Sequence, residues 1–165
     1  MKKFMLTTLL AFASVVMFAA AKEARVDVFN WGAGNTVKIA DKGTTSRADA
    51  QKWMQMKDRG GALACFKIKG DDWQTGTFAV TAVGDGRLQI QLKGPDVRTK
   101  EEPKVFQKVY VDFSKLVVNG KTMYEAKGGK FLTVWHSQPK VFGNIPVKDG
   151  ETVEIEVTFR RSAKK

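Results

Sequence analysis

His136 is the only histidine of this chain and Cys65 its only cysteine. A Ser-His-Asp triad needs an imidazole beside a nucleophile, and zinc needs several Cys or His ligands, so neither can be assembled from this set. A lone cysteine also excludes an intrachain disulfide, and within the apolar run 62–66 it reads as a small buried hydrophobe. Carboxylates are more plentiful, with Asp71, Asp72, Asp85, Asp96 and Asp112 all available. Two that faced each other across a cleft would make a glycosidase pair, and Asp71 with Asp72 and nearby carbonyls would suit calcium. Most of these aspartates stand in turns, however, where a carboxylate ordinarily accepts from backbone N–H groups. Tyr110 or Tyr124 beside Lys or Arg has the chemistry of a lyase proton shuttle, but spacing singles out neither. The expectation is a protein with no catalytic residue, no metal and no cofactor.

Binding has better material. Trp31, Trp53, Trp73 and Trp135 make four tryptophans in a small chain. An indole on an exposed sheet or loop stacks against the C–H face of a sugar, whereas the same residue in a small β domain more often fills the core. Glycine and charge surround Trp31 and Trp73, which are the candidates for exposure.

The N-terminus narrows which ligands are met. Lys2 and Lys3 precede an apolar run over 4–18 and then Ala19-Ala20-Ala21, the charged, apolar and small-residue regions of a removable secretory signal, with cleavage expected after Ala21. The run is shorter than the roughly 20 apolar residues that span a bilayer, and no second hydrophobic segment follows. The expectation is a signal over 1–21, one domain over 22–165, no transmembrane segment after signal removal, and a periplasmic or extracellular location. The formal charge of +11 becomes +9 once Lys2 and Lys3 leave (11 − 2). Outside the cytoplasm that charge meets envelope phosphates, acidic glycans and anionic lipid headgroups rather than nucleic acid. The lysines are spread along the chain, so solubility alone is an equal reading of them.

The elements that must carry these residues are short alternating runs separated by turn signals, the pattern of an antiparallel all-β domain. The sequence predicts strands over 25–31 and 36–40 joined as an opening hairpin, over 62–69 and 75–83, and over 87–93 with Asp85-Gly86 making a tight hairpin. Further strands are expected over 105–113, given a bulge, at 116–118 and 122–124 around Asn119-Gly120, and over 131–135, 141–147 and 152–159. Val153, Ile155, Val157 and Phe159 give the last one the purest alternation. One short helix is expected over 46–57, with Ser46 and Asp49 as a capping pair. Eight to ten such strands predict a two-sheet antiparallel sandwich of jelly-roll kind.

Four blocks in this order, FAVTAVGDGRLQIQLKGPDVR, VYVDFSKLVVNGKTMYEA, LTVWHSQP and IPVKDGETVEIEV, resemble the β-sandwich module appended to bacterial glycosyltransferases that build surface polysaccharides. The similarity spans roughly residues 62–159. It implies a jelly-roll-like sandwich and a carbohydrate-associated role without catalysis, since the transferase chemistry belongs to another domain. The matching polar residues are Asp96, Arg98, Asp112, Asn119, Trp135 and His136. Asn119 reads equally as a turn residue, and Trp135 and His136 as wedges between the sheets. Asp96 with Arg98 reads either as a loop-tip site for hydroxyls or an acidic sugar, or as an internal ion pair. Pro95, Phe113, Ser137-Gln138 and Lys140 depart from the module's pattern, and a signal is a further departure. The sequence thus predicts an exported binding protein for envelope or extracellular carbohydrate, with Asp96, Arg98, Trp31, Trp73, Trp135 and His136 as ligand-binding candidates. A structural or protein-interaction module that holds an envelope protein is the alternative, and a polysaccharide lyase or hydrolase the third reading.

Overall fold

The computed structural model describes residues 20–31, 36–40, 61–98 and 105–164. The helix expected over 46–57, Trp53 and the signal up to residue 19 lie outside the described residues. Ten strands among the described residues pair antiparallel into two sheets, as the alternation predicts. β1 (Glu23–Trp31), β3 (Gly61–Lys67), β5 (Gly86–Lys93) and β9 (Lys140–Val147) form a four-stranded sheet in the order β3-β1-β5-β9. β2 (Thr36–Ala40), β4 (Gln74–Val83), β6 (Val111–Val118), β7 (Lys121–Glu125) and β10 (Thr152–Arg161) form the second, in the order β2-β4-β10-β6-β7. β8 (Leu132–Val134) pairs with the first residues of β6.

Period-two alternation sends one row of each strand between the sheets. Val153, Ile155, Val157 and Phe159 of β10 meet Phe78, Leu88, Ile90, Leu92 and Phe113 there, all essentially solvent-free. Each such side chain stabilises the fold by about 1.5–3 kcal/mol through burial. Cys65 is buried as expected, in a separate small cluster with Leu63 on the outer side of β3. Also on this outer side, Asp27 is 1 % exposed, receives Lys93 Nζ on Oδ2 at 2.6 Å, and has no hydrogen-bond partner on Oδ1.

Turn chemistry and partner choice agree at one of three expected hairpins and part company at two. Asn119 and Gly120, with φ of 47° and 74°, form the expected hairpin between β6 and β7. The other two expected hairpins are corrected: β1 and β2 lie in different sheets, as do β4 and β5. Residues 83–86 are instead an arch that carries the chain across the sandwich, with Gly84 at φ 86°. A second arch, residues 147–151, links β9 to β10, and the two arches hold each other. Gly84 N–H donates to Asp149 Oδ1 at 2.7 Å, Asp149 N–H to Asp85 Oδ1 at 2.9 Å, and Gly150 N–H to the Ala82 carbonyl at 3.0 Å. The backbone donation from Asp149, with Lys148 beside it, lowers the Asp85 pKa below the usual carboxylate range. The aspartates satisfy backbone donors of a neighbouring arch, which an Asp-Gly signal does as readily as it makes a two-residue turn.

Gly76 faces the core where β4 passes Phe66, and a Cβ there would stand 2.5 Å from the Phe66 ring. That ring is fixed by Phe159 at 5.5 Å and Phe78 at 5.9 Å. Gly76→Ala is expected to destabilise by about 1–3 kcal/mol, seen as a lower urea midpoint at unchanged m-value. Gly143→Ala, whose methyl group meets nothing within 4 Å, should change stability by less than about 0.5 kcal/mol.

Candidate functional site

Along the approach to β6, Val109, Val111 and Phe113 turn into the core, and the alternate residues Lys108, Tyr110 and Asp112 fall on the outer face of the six-stranded sheet. Register places Asp112 between Arg160 of β10 and Thr133 of β8. Only 1 % exposed, the Asp112 carboxylate accepts from Thr133 Oγ1 at 2.8 Å on one oxygen and from Arg160 Nε at 3.3 Å on the other. A carboxylate this buried requires such donors, and it fixes the arginine in return. The Arg160 guanidinium carbon lies 4.5 Å from the Trp73 ring centroid and 4.7 Å from that of Phe131, and the two rings meet edge-on at 5.5 Å. Trp73 remains 39 % exposed, so a guanidinium and two rings form one rigid, half-open surface.

A cleft of about 450 Å³ adjoins this surface, within the size range of small-ligand sites. Its charged lining is Lys108, Arg160, Arg161 and Lys164 against Asp71, with Tyr110 among them. Arg161 donates through Nη1 to Asp71 Oδ1 at 2.9 Å and through Nε to the Ala21 carbonyl at 3.2 Å. Lys164 Nζ stands 4.6 Å from the Tyr110 ring and Lys108 Nζ 6.0 Å from that of Trp135. Neither Lys108 nor Lys164 has an ion-pair partner among the described residues. The cleft therefore concentrates positive charge beside sugar-sized aromatic faces.

The candidates read from sequence divide into three groups. Trp73 and Trp135 reach this face, Trp73 through Arg160 and Trp135 through Lys108. Trp135 is a half-buried turn residue, not a wedge between the sheets, and its Nε1 donates to Gln138 Oε1 at 2.8 Å. Asp96, Arg98 and His136 gather elsewhere, around Phe106. Asp96 receives Arg98 through both Nε and Nη2 at 3.0 and 3.2 Å, the Arg98 guanidinium carbon is 4.3 Å from the Phe106 ring, and His136 stacks on that ring at 3.9 Å. Beside this cluster the Gln107 N–H donates to the Val97 carbonyl at 2.7 Å. Gly94 admits the turn against this segment, since a Cβ would lie 2.6 Å from the Val109 carbonyl oxygen and 2.9 Å from Trp135 Cα. Trp31 stands apart on the other sheet, 39 % exposed, with Nε1 donating to Gln89.

Sequence reasoning passed over Lys108, Arg160, Arg161, Lys164 and Phe131. Their visible signal is the basic run in which Arg160-Arg161 closes the last alternating strand and Lys164 follows; Lys108 is brought to it by the fold alone. Among the described residues no three His, Cys, Asp or Glu side chains come together to hold a metal ion, and no helix is long and apolar enough to cross a membrane. Comparison with protein families, with curated proteins and with solved structures found no match for this chain.

His136 is 7 % exposed, and burial, aided by Lys93, Arg25 and Arg98 and opposed by Asp96, pushes its pKa down from 6.5 to about 4. The unfolded chain then binds more protons than the native one between these values, so this group's contribution to stability is lost as pH falls through 6.5 and levels off below 4. Asp27, raised by burial despite Lys93, acts in the opposite sense, so the imidazole is read by difference. The stability of the protein relative to His136→Phe is expected to drop by about 2–3 kcal/mol between pH 7 and pH 4 in urea titrations. Parallel pH profiles would show that the fold does not hold this ring neutral.

Proposed function

We propose that this is an exported, non-catalytic binding protein for acidic polysaccharide of the envelope or its surroundings. One observation carries the reading: four cationic side chains, Lys108, Arg160, Arg161 and Lys164, surround a cleft that holds the single carboxylate Asp71. Uronate, sulfate or phosphate groups would meet the cations, and Trp73 at the rim offers a face for the sugar ring. The overall excess of 28 Lys and Arg over 17 Asp and Glu steers the same ligands toward the protein. In this reading the chain is a relative of the sandwich modules attached to surface-polysaccharide glycosyltransferases.

Tyr110 within the cationic cleft favours one second reading, a β-eliminating lyase in which arginine neutralises a uronate carboxylate while the phenol moves a proton.

A glycan array at low and raised salt, followed by titration with oligogalacturonate, tests these readings together. Binding is expected to prefer acidic over neutral glycans and to weaken about tenfold or more in the double variant Lys108→Glu, Lys164→Glu. Trp73→Ala should reduce the part of binding that survives raised salt. No sugar signal at any salt would overturn the proposal and leave an envelope-protein partner as the reading to pursue. Unsaturated product absorbing in the ultraviolet would make the protein a lyase.

A further inference from the structure

We propose that removal of the signal completes the cationic cleft, because the Ala21 carbonyl oxygen occupies the place of a ligand oxygen and its departure leaves the α-ammonium group of Lys22 in the wall. The inference rests on the acidic-ligand reading above and on cleavage after Ala21. Ala20 and Ala21 line the cleft, and Ala21 is 2 % exposed. Its carbonyl oxygen is the acceptor that Arg161 Nε meets at 3.2 Å, while Nη1 of the same guanidinium is held by Asp71. A carbonyl oxygen against a guanidinium is the arrangement that one oxygen of a carboxylate, sulfate or phosphate group would adopt there.

Cleavage changes this point in two ways. Under a signal peptidase, water adds across the Ala21–Lys22 amide; Ala21 leaves as a carboxylate on the signal fragment, and Lys22 keeps the nitrogen as an ammonium group. Arg161 Nε thereby loses its acceptor. The new ammonium nitrogen starts roughly 2.3 Å from where that acceptor was, by standard peptide dimensions. It has little freedom to swing away, since the Lys22 carbonyl accepts from Ile68 N–H at 2.9 Å and the next residue, Glu23, already pairs with Lys67. Two cations then flank a gap the size of one oxygen, and an anionic ligand fills it. The α-ammonium group also differs from its neighbours in titration. It ordinarily loses its proton near pH 8, and the charged and titratable groups that face it across the cleft are Lys108, Lys164, Arg160, Arg161, Tyr110 and Asp71.

Two forms of the protein, one beginning at Lys22 and one beginning at an N-acetylated Ala20, which brings no ammonium group of its own to the cleft, are compared by titration calorimetry with oligogalacturonate and with inorganic sulfate, after thermal melts establish that both fold. The form beginning at Lys22 is expected to bind roughly three- to tenfold more tightly at pH 6.5. The gain should fade by pH 9, and it should be lost in Lys22→Gln, whose N-terminal glutamine cyclises to a neutral ring. The intact mass of the exported protein should correspond to a start at Lys22. Equal affinity of the two forms overturns the inference while leaving acidic-ligand binding in place. An exported protein that retains Ala21, or a Lys22 form that does not fold, overturns it as well. Absence of binding by either form overturns both this inference and the reading on which it rests.

Discussion

The sandwich depends on two neighbouring arches. A strand with one apolar row is satisfied by any partner that covers that row, so alternation alone does not decide which sheet a strand joins. The crossings at 83–86 and 147–151 decide it, by sending β4 and β5, then β9 and β10, to opposite sheets. Each arch removes backbone groups from the ladders, and the other supplies their partners through Asp149, Asp85 and the Ala82 carbonyl. Because N–H donors of each crossing meet oxygen acceptors at the other, the arches stabilise one another, and β10 is delivered to the middle of the six-stranded sheet between β4 and β6. The cationic cleft exists because β10 ends there.

Buried carboxylates then organise the outer faces. Asp112 is withdrawn from water and must be met by donors, and register allows only Thr133 and Arg160 to lie directly opposite. The ion pair has modest net worth in stability, since desolvation offsets much of the attraction. Its effect is geometric: an arginine that would otherwise sample several rotamers is held beside Trp73 and Phe131. Asp27 and Lys93 form a similar pair on the opposite sheet, but there both side chains are largely enclosed. A fixed guanidinium next to open aromatic surface and unpaired lysines is what the proposed ligand reading of the β10 end rests on.

Much of the fold was legible in the residues. The strands of 23–31, 74–83, 86–93 and 152–161 follow from alternation, and Asn119-Gly120 from its need for two left-handed residues. The partnership of Asp96 with Arg98 was also legible, being two residues apart on one loop. Its surroundings were not: the Arg98 guanidinium lies against the Phe106 ring, on which His136 stacks, and these partners come from elsewhere in the sequence. Trp73 and Trp31 stand equally exposed; the Arg160 guanidinium against Trp73 is a contact that depends on a residue 87 positions away and on the register that carries it there.

The sequence by itself determined the strand content, the two-faced strands, the lack of material for a triad or a disulfide, and the excess of positive charge, because these follow from composition and from a period of two along the backbone. Tertiary structure alone decided where the charge acts. Lys108 is brought from a separate segment to Arg160, Arg161 and Lys164 at the end of β10 and just beyond it, and Ala21 meets Arg161 across 140 positions of the chain. No local pattern records such meetings. They are fixed by sheet order, which depends on which crossings can satisfy their backbone hydrogen bonds while keeping every apolar row between the sheets.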